Sequence, residues 1–264
     1  MPHVHVNGVE LHYLQAGEGD DVLLLCGLGD DVSAWDAQFA VLAERYRVTA
    51  VDNRGVGQSS LPEGDFTVAD MAGDAIALCH ELGIGQAHVM GFSMGGAIAQ
   101  ELTIARPDLA RSLVIVGSWA YSDALFRNFI ESSIYFSGLA DDDEKFLRYF
   151  LGSTYSHAVW EDGRIDAFAR AFLEHPHPQD IGAFQRTARA ILAHDTRDRL
   201  PAIAAPTLVV YGEEDIICPP RHSHQIASLI PNAEIAGVPG QAHQPFQEGP
   251  ADFNRLVLGF WDAI

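Results

Sequence analysis

Cysteine is scarce in this chain of 264 residues, and its three cysteines lie far apart. Cys26, Cys79 and Cys218 form no C-x-x-C pair, so their spacing predicts neither a disulfide framework nor a zinc site. The histidines include the close pair His175 and His177, but the neighbouring prolines indicate a loop, and no acidic ligand pattern accompanies them. We therefore expect reduced thiols and no bound metal.

Basic residues are also few. Sixteen Lys and Arg residues against 36 Asp and Glu residues give a formal net charge of -20. Such a surface repels phosphate backbones and anionic membranes. We expect neither nucleic acid nor a membrane as a partner, and we interpret the acidic excess as a well-solvated surface, with adaptation to salt as a variant of that interpretation.

Long apolar runs are absent as well, since no uninterrupted run approaches the roughly 20 residues that span a bilayer. The amino terminus lacks a basic stretch followed by an apolar one, so it does not resemble a secretory signal. We expect a cytoplasmic protein, with a mature form that has lost its signal as the alternative. The sequence carries no signal for the oligomeric state.

Short apolar runs, by contrast, recur and alternate with helix-like segments. The runs typical of strands buried on both faces are 22–26, 48–51, 87–90, 113–116 and 207–211, with a further strand at 234–238. The helix-like segments are 34–44, 68–82, 93–106, 221–230 and 251–260. Asn7-Gly8 predicts a hairpin at the start of the chain. This rhythm predicts one α/β core with a mostly parallel sheet.

The alternation of predicted strands and helices is interrupted between residues 119 and 199. Four amphipathic segments predict helices there, at 123–136, 141–151, 164–174 and 179–194. The region holds 14 of the 25 Phe, Trp and Tyr residues. We expect most of them to pack the helices against the main domain and a few to face a pocket. We predict a core domain of residues 1–118 and 200–264 and a helical cap, or lid, of residues 119–199 over the carboxyl edge of the sheet. Trp119 is the preferred substrate-binding residue, with core packing as the alternative.

The sequence Gly-Phe-Ser-Met-Gly around Ser93 lies between a predicted strand and a predicted helix. This context is typical of a nucleophile elbow, in which glycines two residues before and after the serine permit a close chain crossing. The Met94 N–H, at the start of the helix, would face a developing oxyanion. The pattern G-x-S-x-G on its own has an alternative interpretation, an ordinary glycine-rich turn with a serine that caps the helix.

A nucleophilic serine requires a histidine base and an orienting acid. His243 follows the predicted strand at 234–238, and Asp215 follows the strand at 207–211, so both lie on loops at the edge of the sheet where Ser93 is expected. Glu213 and Glu214 compete with Asp215 as the acid on spacing alone.

The whole chain resembles the α/β-hydrolase superfamily, most of all its serine carboxylesterases and enol-lactone hydrolases. The motifs that carry the resemblance are Cys26-Gly27-Leu28-Gly29, the segment 52–59, the elbow, Gly212-x-x-Asp215-x-x-x-Pro219, and His243 followed by Phe246-Gln247-Glu248. The resemblance implies the α/β-hydrolase fold with a helical cap insertion.

It also implies the roles of five residues. Ser93 becomes the nucleophile, Asp215 the acid and His243 the base, and the backbone N–H groups of Leu28 and Met94 form the oxyanion hole. The implied activity is hydrolysis of a small carboxylic ester or lactone through an acyl-enzyme, with no cofactor. The segment 52–59 is a structural turn in the family, so Arg54 receives no catalytic role.

Three alternatives stay open. A carbon-carbon bond hydrolase of the diketone-cleaving type shares the Ser-Met-Gly-Gly elbow, although Gln244 stands where that group often has tryptophan. A small-ligand-binding protein without activity is the alternative from another class, against which the filled positions of Ser93, Asp215 and His243 argue. Cys26 stands where many relatives have histidine, and we interpret it as inert packing rather than a second nucleophile.

Overall fold

The computed structural model describes residues 2–139 and 143–264. Eight strands form one sheet: β1 (His3–Val6), β2 (Val9–Ala16), β3 (Asp21–Leu25), β4 (Arg47–Val51), β5 (Ala87–Phe92), β6 (Ala110–Val116), β7 (Thr207–Gly212) and β8 (Ala233–Val238). They lie in the order β1-β2-β4-β3-β5-β6-β7-β8. Strands β3 to β8 are parallel, whereas β2 is antiparallel to both β1 and β4.

The predicted hairpin at the start of the chain is present. Asn7 and Gly8 join β1 to β2 with φ angles of 48° and 78°, as a two-residue turn with positive φ at both positions requires.

Eleven α-helices lie among the described residues. They are α1 (Asp36–Leu42), α2 (Val68–Glu81), α3 (Met94–Ala105), α4 (Ala124–Ser137), α5 (Asp143–Thr154), α6 (His157–Glu161), α7 (Arg164–Leu173), α8 (Ile181–Ile191), α9 (Pro220–Leu229), α10 (Pro245–Glu248) and α11 (Pro250–Asp262). The sequence did not predict α6 and α10, because segments of five and four residues are too short to display a helical period. The first predicted helix is divided into a 3₁₀ turn, Val32–Trp35, and α1.

Alternate residues of the central strands point into two separate apolar layers, as the pleat of a strand requires. In β3, for example, Leu23 and Leu25 pack in the layer that also holds Met71 of α2, while Leu24 packs in the layer that holds Phe253 of α11. The sheet is thus covered on both faces, which explains why its central strands are uniformly apolar in sequence.

Helices α4 to α8 occupy the connection between β6 and β7. Part of this connection has its own apolar cluster, in which Leu147 and Leu151 of α5 pack with Val159 of α6 and Ile165 of α7. Of the helix predicted at 141–151, residues 141 and 142 lie outside the described residues. In the part of the chain that the structure describes, no helix has the length and apolar character needed to cross a bilayer.

Candidate active site

Ser93 lies in the sharp turn between the end of β5 and the start of α3. Its φ and ψ of 52° and -116° are strained for a residue with a side chain. Two hydrogen bonds fix the turn, one from the Ser93 N–H to the Val116 carbonyl at 2.8 Å and one from the Ser118 hydroxyl to the Ser93 carbonyl at 2.8 Å. The strained conformation is therefore maintained by its surroundings, and the residue keeps 8 % of its surface exposed.

Two glycines make this turn possible. A Cβ atom on Gly91 would lie 2.1 Å from the Gly95 carbonyl oxygen, and one on Gly95 would lie 2.1 Å from the carbonyl oxygen of Leu25 in β3. Both distances are far below van der Waals contact, so the crossing of α3 over the sheet requires glycine at each position.

The structure brings Ser93, His243 and Asp215 together from three separate loops. His243 Nε2 lies 3.0 Å from Ser93 Oγ, and His243 Nδ1 lies 2.8 Å from Asp215 Oδ2. A carboxylate only accepts hydrogen bonds, so Nδ1 carries the ring proton and Nε2 is left to accept from the serine hydroxyl. This arrangement prepares the hydroxyl for transfer of its proton to the imidazole.

Asp215 is fixed by the backbone as well as by His243. Its Oδ1 accepts hydrogen bonds from the N–H groups of Ile217 and Cys218, both at 2.9 Å, and its side chain has no exposed surface. The competing carboxylates Glu213 and Glu214 are exposed to solvent. Of the three acids in this loop, Asp215 is the one in contact with the imidazole.

The loop that carries His243 is held by a carboxylate. Glu248 Oε1 accepts from the Ala242 N–H at 3.0 Å and from the Ser156 N–H at 3.3 Å, while the His243 N–H donates to the Thr154 carbonyl at 3.0 Å. Burial raises the pKa of Glu248, and its hydrogen bonds oppose that rise. Helix α5 and the loop after it thus help to fix the position of the imidazole.

Tyr155 adds a side-chain contact that the sequence did not predict. Its hydroxyl contacts Gln247 Oε1 and, at 3.0 Å, Oε1 of Gln244, the residue that follows His243. Its ring stacks on Phe168 of α7 with a centroid distance of 4.6 Å. No motif marks Tyr155, because its place beside the histidine loop depends on how the inserted helices pack.

The two candidate oxyanion donors lie at the expected turns. Leu28 follows β3, and Met94 is the first residue of α3. Among the described residues, neither backbone N–H has a hydrogen-bond partner, which leaves both groups available to a ligand.

Trp119 is a buried side chain near the start of the inserted helices. It has no exposed surface, its ring packs on Phe126 of α4 with a centroid distance of 4.3 Å, and its Nε1–H donates to the Ser122 hydroxyl at 3.2 Å. This placement corresponds to the alternative of core packing. Because Trp119 follows β6 in the sequence, its place near the inserted helices could be predicted. The direction in which its ring points could not, because that depends on tertiary packing.

Arg54 and Asp74 form a buried ion pair with two hydrogen bonds of 2.6 and 2.7 Å. Asn7 donates to the same carboxylate at 3.0 Å. These contacts join the turn after β4 to α2 and to the first hairpin, which is a structural role.

The Cys26 thiol is fully buried and donates to the Asp31 carbonyl at 3.2 Å. Burial, followed by the negative charge of Asp52, raises the pKa of this thiol well above its ordinary value. The group is neutral at physiological pH and is a poor nucleophile in that form.

We expect Cys26→Ala to keep roughly a third or more of the wild-type kcat, because the neutral thiol contributes packing and one hydrogen bond but no nucleophile. The small cavity should lower the free energy of unfolding by about 1 kcal/mol. Both are measured by steady-state kinetics and denaturant unfolding. Complete inactivation of a folded variant, with a thiol reagent blocking wild-type turnover, would contradict this assignment.

Within the described residues, no group of three or more His, Cys, Asp or Glu side chains is arranged to hold a metal ion. We call the hydrogen-bonded side chains of Ser93, His243 and Asp215 the candidate chemical centre.

Comparison with known proteins gives the class of the chain. The family model described as the alpha/beta hydrolase fold matches residues 21–250, and the chain belongs to this family. A relative from Azorhizobium caulinodans, provisionally named carbamate hydrolase RutD, is 33 % identical over 100 % of this chain and 99 % of its own length.

Solved structures agree with this membership. An enol-lactonase from Burkholderia xenovorans LB400 is 26 % identical, with a TM-score of 0.88 over 99 % of this chain and 100 % of its own. A thermophilic esterase from Thermogutta terrifontis is 26 % identical, with a TM-score of 0.86 over 100 % of this chain and 99 % of its own. These relatives support hydrolase activity for this chain.

Proposed function

We propose that the protein hydrolyses a carboxylic ester or lactone of a small, mainly apolar molecule through an acyl-enzyme on Ser93. The observation that carries this proposal is the continuous series of contacts from Asp215 through His243 to Ser93 Oγ, at 2.8 and 3.0 Å. A general base in contact with a strained serine hydroxyl, and itself oriented by a buried carboxylate, is the arrangement that acyl transfer requires.

In the first half of the reaction, Ser93 Oγ attacks the carbonyl carbon while His243 Nε2 takes the hydroxyl proton. The negative charge that develops on the carbonyl oxygen is stabilised by the N–H groups of Leu28 and Met94, each donor being worth roughly 3 to 4 kcal/mol. Collapse of the tetrahedral intermediate breaks the ester bond, and the imidazolium returns the proton to the leaving alkoxide. Asp215 stabilises the imidazolium throughout.

In the second half, water replaces the alcohol. His243 removes a proton from the water as its oxygen attacks the acyl carbon, and the proton then returns to Ser93 Oγ as the carboxylic acid leaves. A lactone follows the same steps, but its alcohol and acid remain in one molecule.

The names of the relatives support particular classes of bond that the protein could cleave. A lactonase and an esterase with the same fold over nearly the full chain support an ester or lactone. The relative named as a carbamate hydrolase favours a second candidate, a carbamate, whose carbonyl Ser93 would attack in the same way. We further propose that residues 119–199 act as the cap that encloses the apolar part of the substrate.

A substrate panel tests this proposal. We expect p-nitrophenyl esters with short acyl chains, or simple lactones, to be hydrolysed faster than matched carbamates and vinylogous diketones. Where deacylation is slow, nitrophenol should appear in a burst of about one equivalent per active site, because the alcohol leaves before the acyl group. A serine-directed fluorophosphonate should block this turnover.

Efficient diketone cleavage with negligible ester and lactone turnover would instead support a carbon-carbon hydrolase. Turnover confined to carbamates would support the second candidate.

A further inference from the structure

The loop that carries His243 has no regular secondary structure of its own. Residues 239–244 connect β8 to α10 and belong to no helix or strand. The place of the imidazole therefore depends on the contacts that hold this loop. A displacement of only about 1 Å at a catalytic group lowers a rate by as much as about 10²-fold, so these contacts matter to the chemistry.

Three consecutive residues that follow or end α5, at positions 154–156, contact this loop and the helix after it. The Thr154 carbonyl accepts from the His243 N–H at 3.0 Å, and the Ser156 N–H donates to Glu248 Oε1 at 3.3 Å. Those two contacts use backbone groups of the 154–156 segment. Tyr155, between them, is the residue that reaches the loop with its side chain.

The hydroxyl of Tyr155 has one proton but touches two glutamine amides. Gln247 Nε2 donates to the Ala34 carbonyl at 3.2 Å, so Gln247 Oε1 faces the tyrosine and accepts its proton at 2.5 Å. The second contact, 3.0 Å to the end of the Gln244 side chain, then requires a donor from Gln244. The Gln244 amide is thus assigned with its NH₂ group toward the phenol oxygen.

Packing alone does not account for this hydroxyl. The Tyr155 ring stacks on Phe168, and a phenylalanine would stack there as well. A hydroxyl withdrawn from water is costly unless it is hydrogen-bonded, and both partners of this one belong to the segment that begins at His243. Burial raises the pKa of the phenol, so it keeps the proton that it donates to Gln247 at physiological pH.

We propose that Tyr155 is a positioning residue for His243, whose hydroxyl connects the inserted helices to the loop of the general base and keeps the imidazole 3.0 Å from Ser93 Oγ. The connection runs through Gln244, the residue next to His243, and through Gln247. Both halves of the proposed reaction use His243, so loss of the hydroxyl should lower kcat and leave KM unchanged. This inference rests on the proposed function at Ser93.

Tyr155→Phe tests the proposal, because it removes the hydroxyl and keeps the ring. On p-nitrophenyl acetate we expect kcat to fall about tenfold, with KM within about twofold of wild type. The rate constant for fluorophosphonate labelling of Ser93 should fall by the same factor, since that reaction also needs the aligned imidazole. The Tm should fall by only about 2 to 4 °C, as the loss of one hydrogen bond predicts.

Tyr149→Phe is the matched control, because Tyr149 is an exposed tyrosine on the neighbouring helix α5 and its kcat and labelling rate should not change. Gln247→Met is the second variant. If Tyr155 acts through Gln247, the double variant should lose less kcat than the product of the two single losses. Should either single variant fail to fold, the kcat and labelling rate of the other decide the matter.

A wild-type kcat and labelling rate in Tyr155→Phe would overturn the positioning role, as would a raised KM with both rates unchanged. A double variant whose loss equals the product of the single losses would overturn the connection through Gln247. In each case an active wild type, labelled at Ser93, leaves the proposed function in place. A wild type that hydrolyses no ester or lactone, with Ser93 unlabelled, would overturn both.

Discussion

Replacing Ser93 with alanine is expected to reduce kcat to the limit of detection, a loss of about 10⁶, while the protein keeps its fold. Without Oγ there is no atom to form the acyl-enzyme. The turn itself should persist, because the Gly91 and Gly95 crossing and the backbone bond to Val116 do not involve the serine side chain.

Steady-state kinetics on the preferred ester measure the loss of kcat, and thermal unfolding measures whether the fold is kept. Ser118→Ala is the matched control, since the Ser118 hydroxyl contacts only the carbonyl of Ser93 and its loss should cost about tenfold or less. More than a trace of hydrolysis in Ser93→Ala would remove Ser93 as the nucleophile.

Replacing Asp215 with asparagine is expected to lower kcat by on the order of 10⁴. The backbone dictates how asparagine must sit, because the N–H groups of Ile217 and Cys218 require an acceptor at the Oδ1 position. The amide oxygen therefore takes that position, and the NH₂ group faces His243 Nδ1. The imidazole is then held with its proton on Nε2, the tautomer that cannot accept from Ser93.

Glu214→Gln is the control for this variant, since Glu214 is an exposed carboxylate next in sequence to Asp215. Its kcat should stay within about threefold of wild type, in line with the small effects of surface substitutions. A greater loss of kcat in Glu214→Gln than in Asp215→Asn would show that Asp215 is not the acid.

Much of the fold could be predicted from the sequence because its signals are local. The apolar runs at 87–90 and 207–211 mark buried parallel strands, now β5 and β7, and Asn7-Gly8 marks a turn with positive φ. Once parallel strands were predicted, residues just after their ends had to meet at one edge, which brought Ser93, Asp215 and His243 into a single hypothesis.

What the sequence could not predict depends on the direction of individual side chains. Trp119 follows strand β6, yet its ring packs into the core against Phe126. Tyr155 reaches the histidine loop through the packing of the inserted helices. The division into a core and a cap of residues 119–199 stays a prediction, as does the role of that region in enclosing a substrate.

The central claim, an acyl-enzyme on Ser93, is tested most directly by treating the protein with a fluorophosphonate and locating the adduct by mass spectrometry of its peptides. We predict one adduct per chain, on Ser93, with complete loss of hydrolysis and with labelling greatly slowed in His243→Ala. An adduct on another residue, or full activity in protein that carries the adduct on Ser93, would contradict the claim.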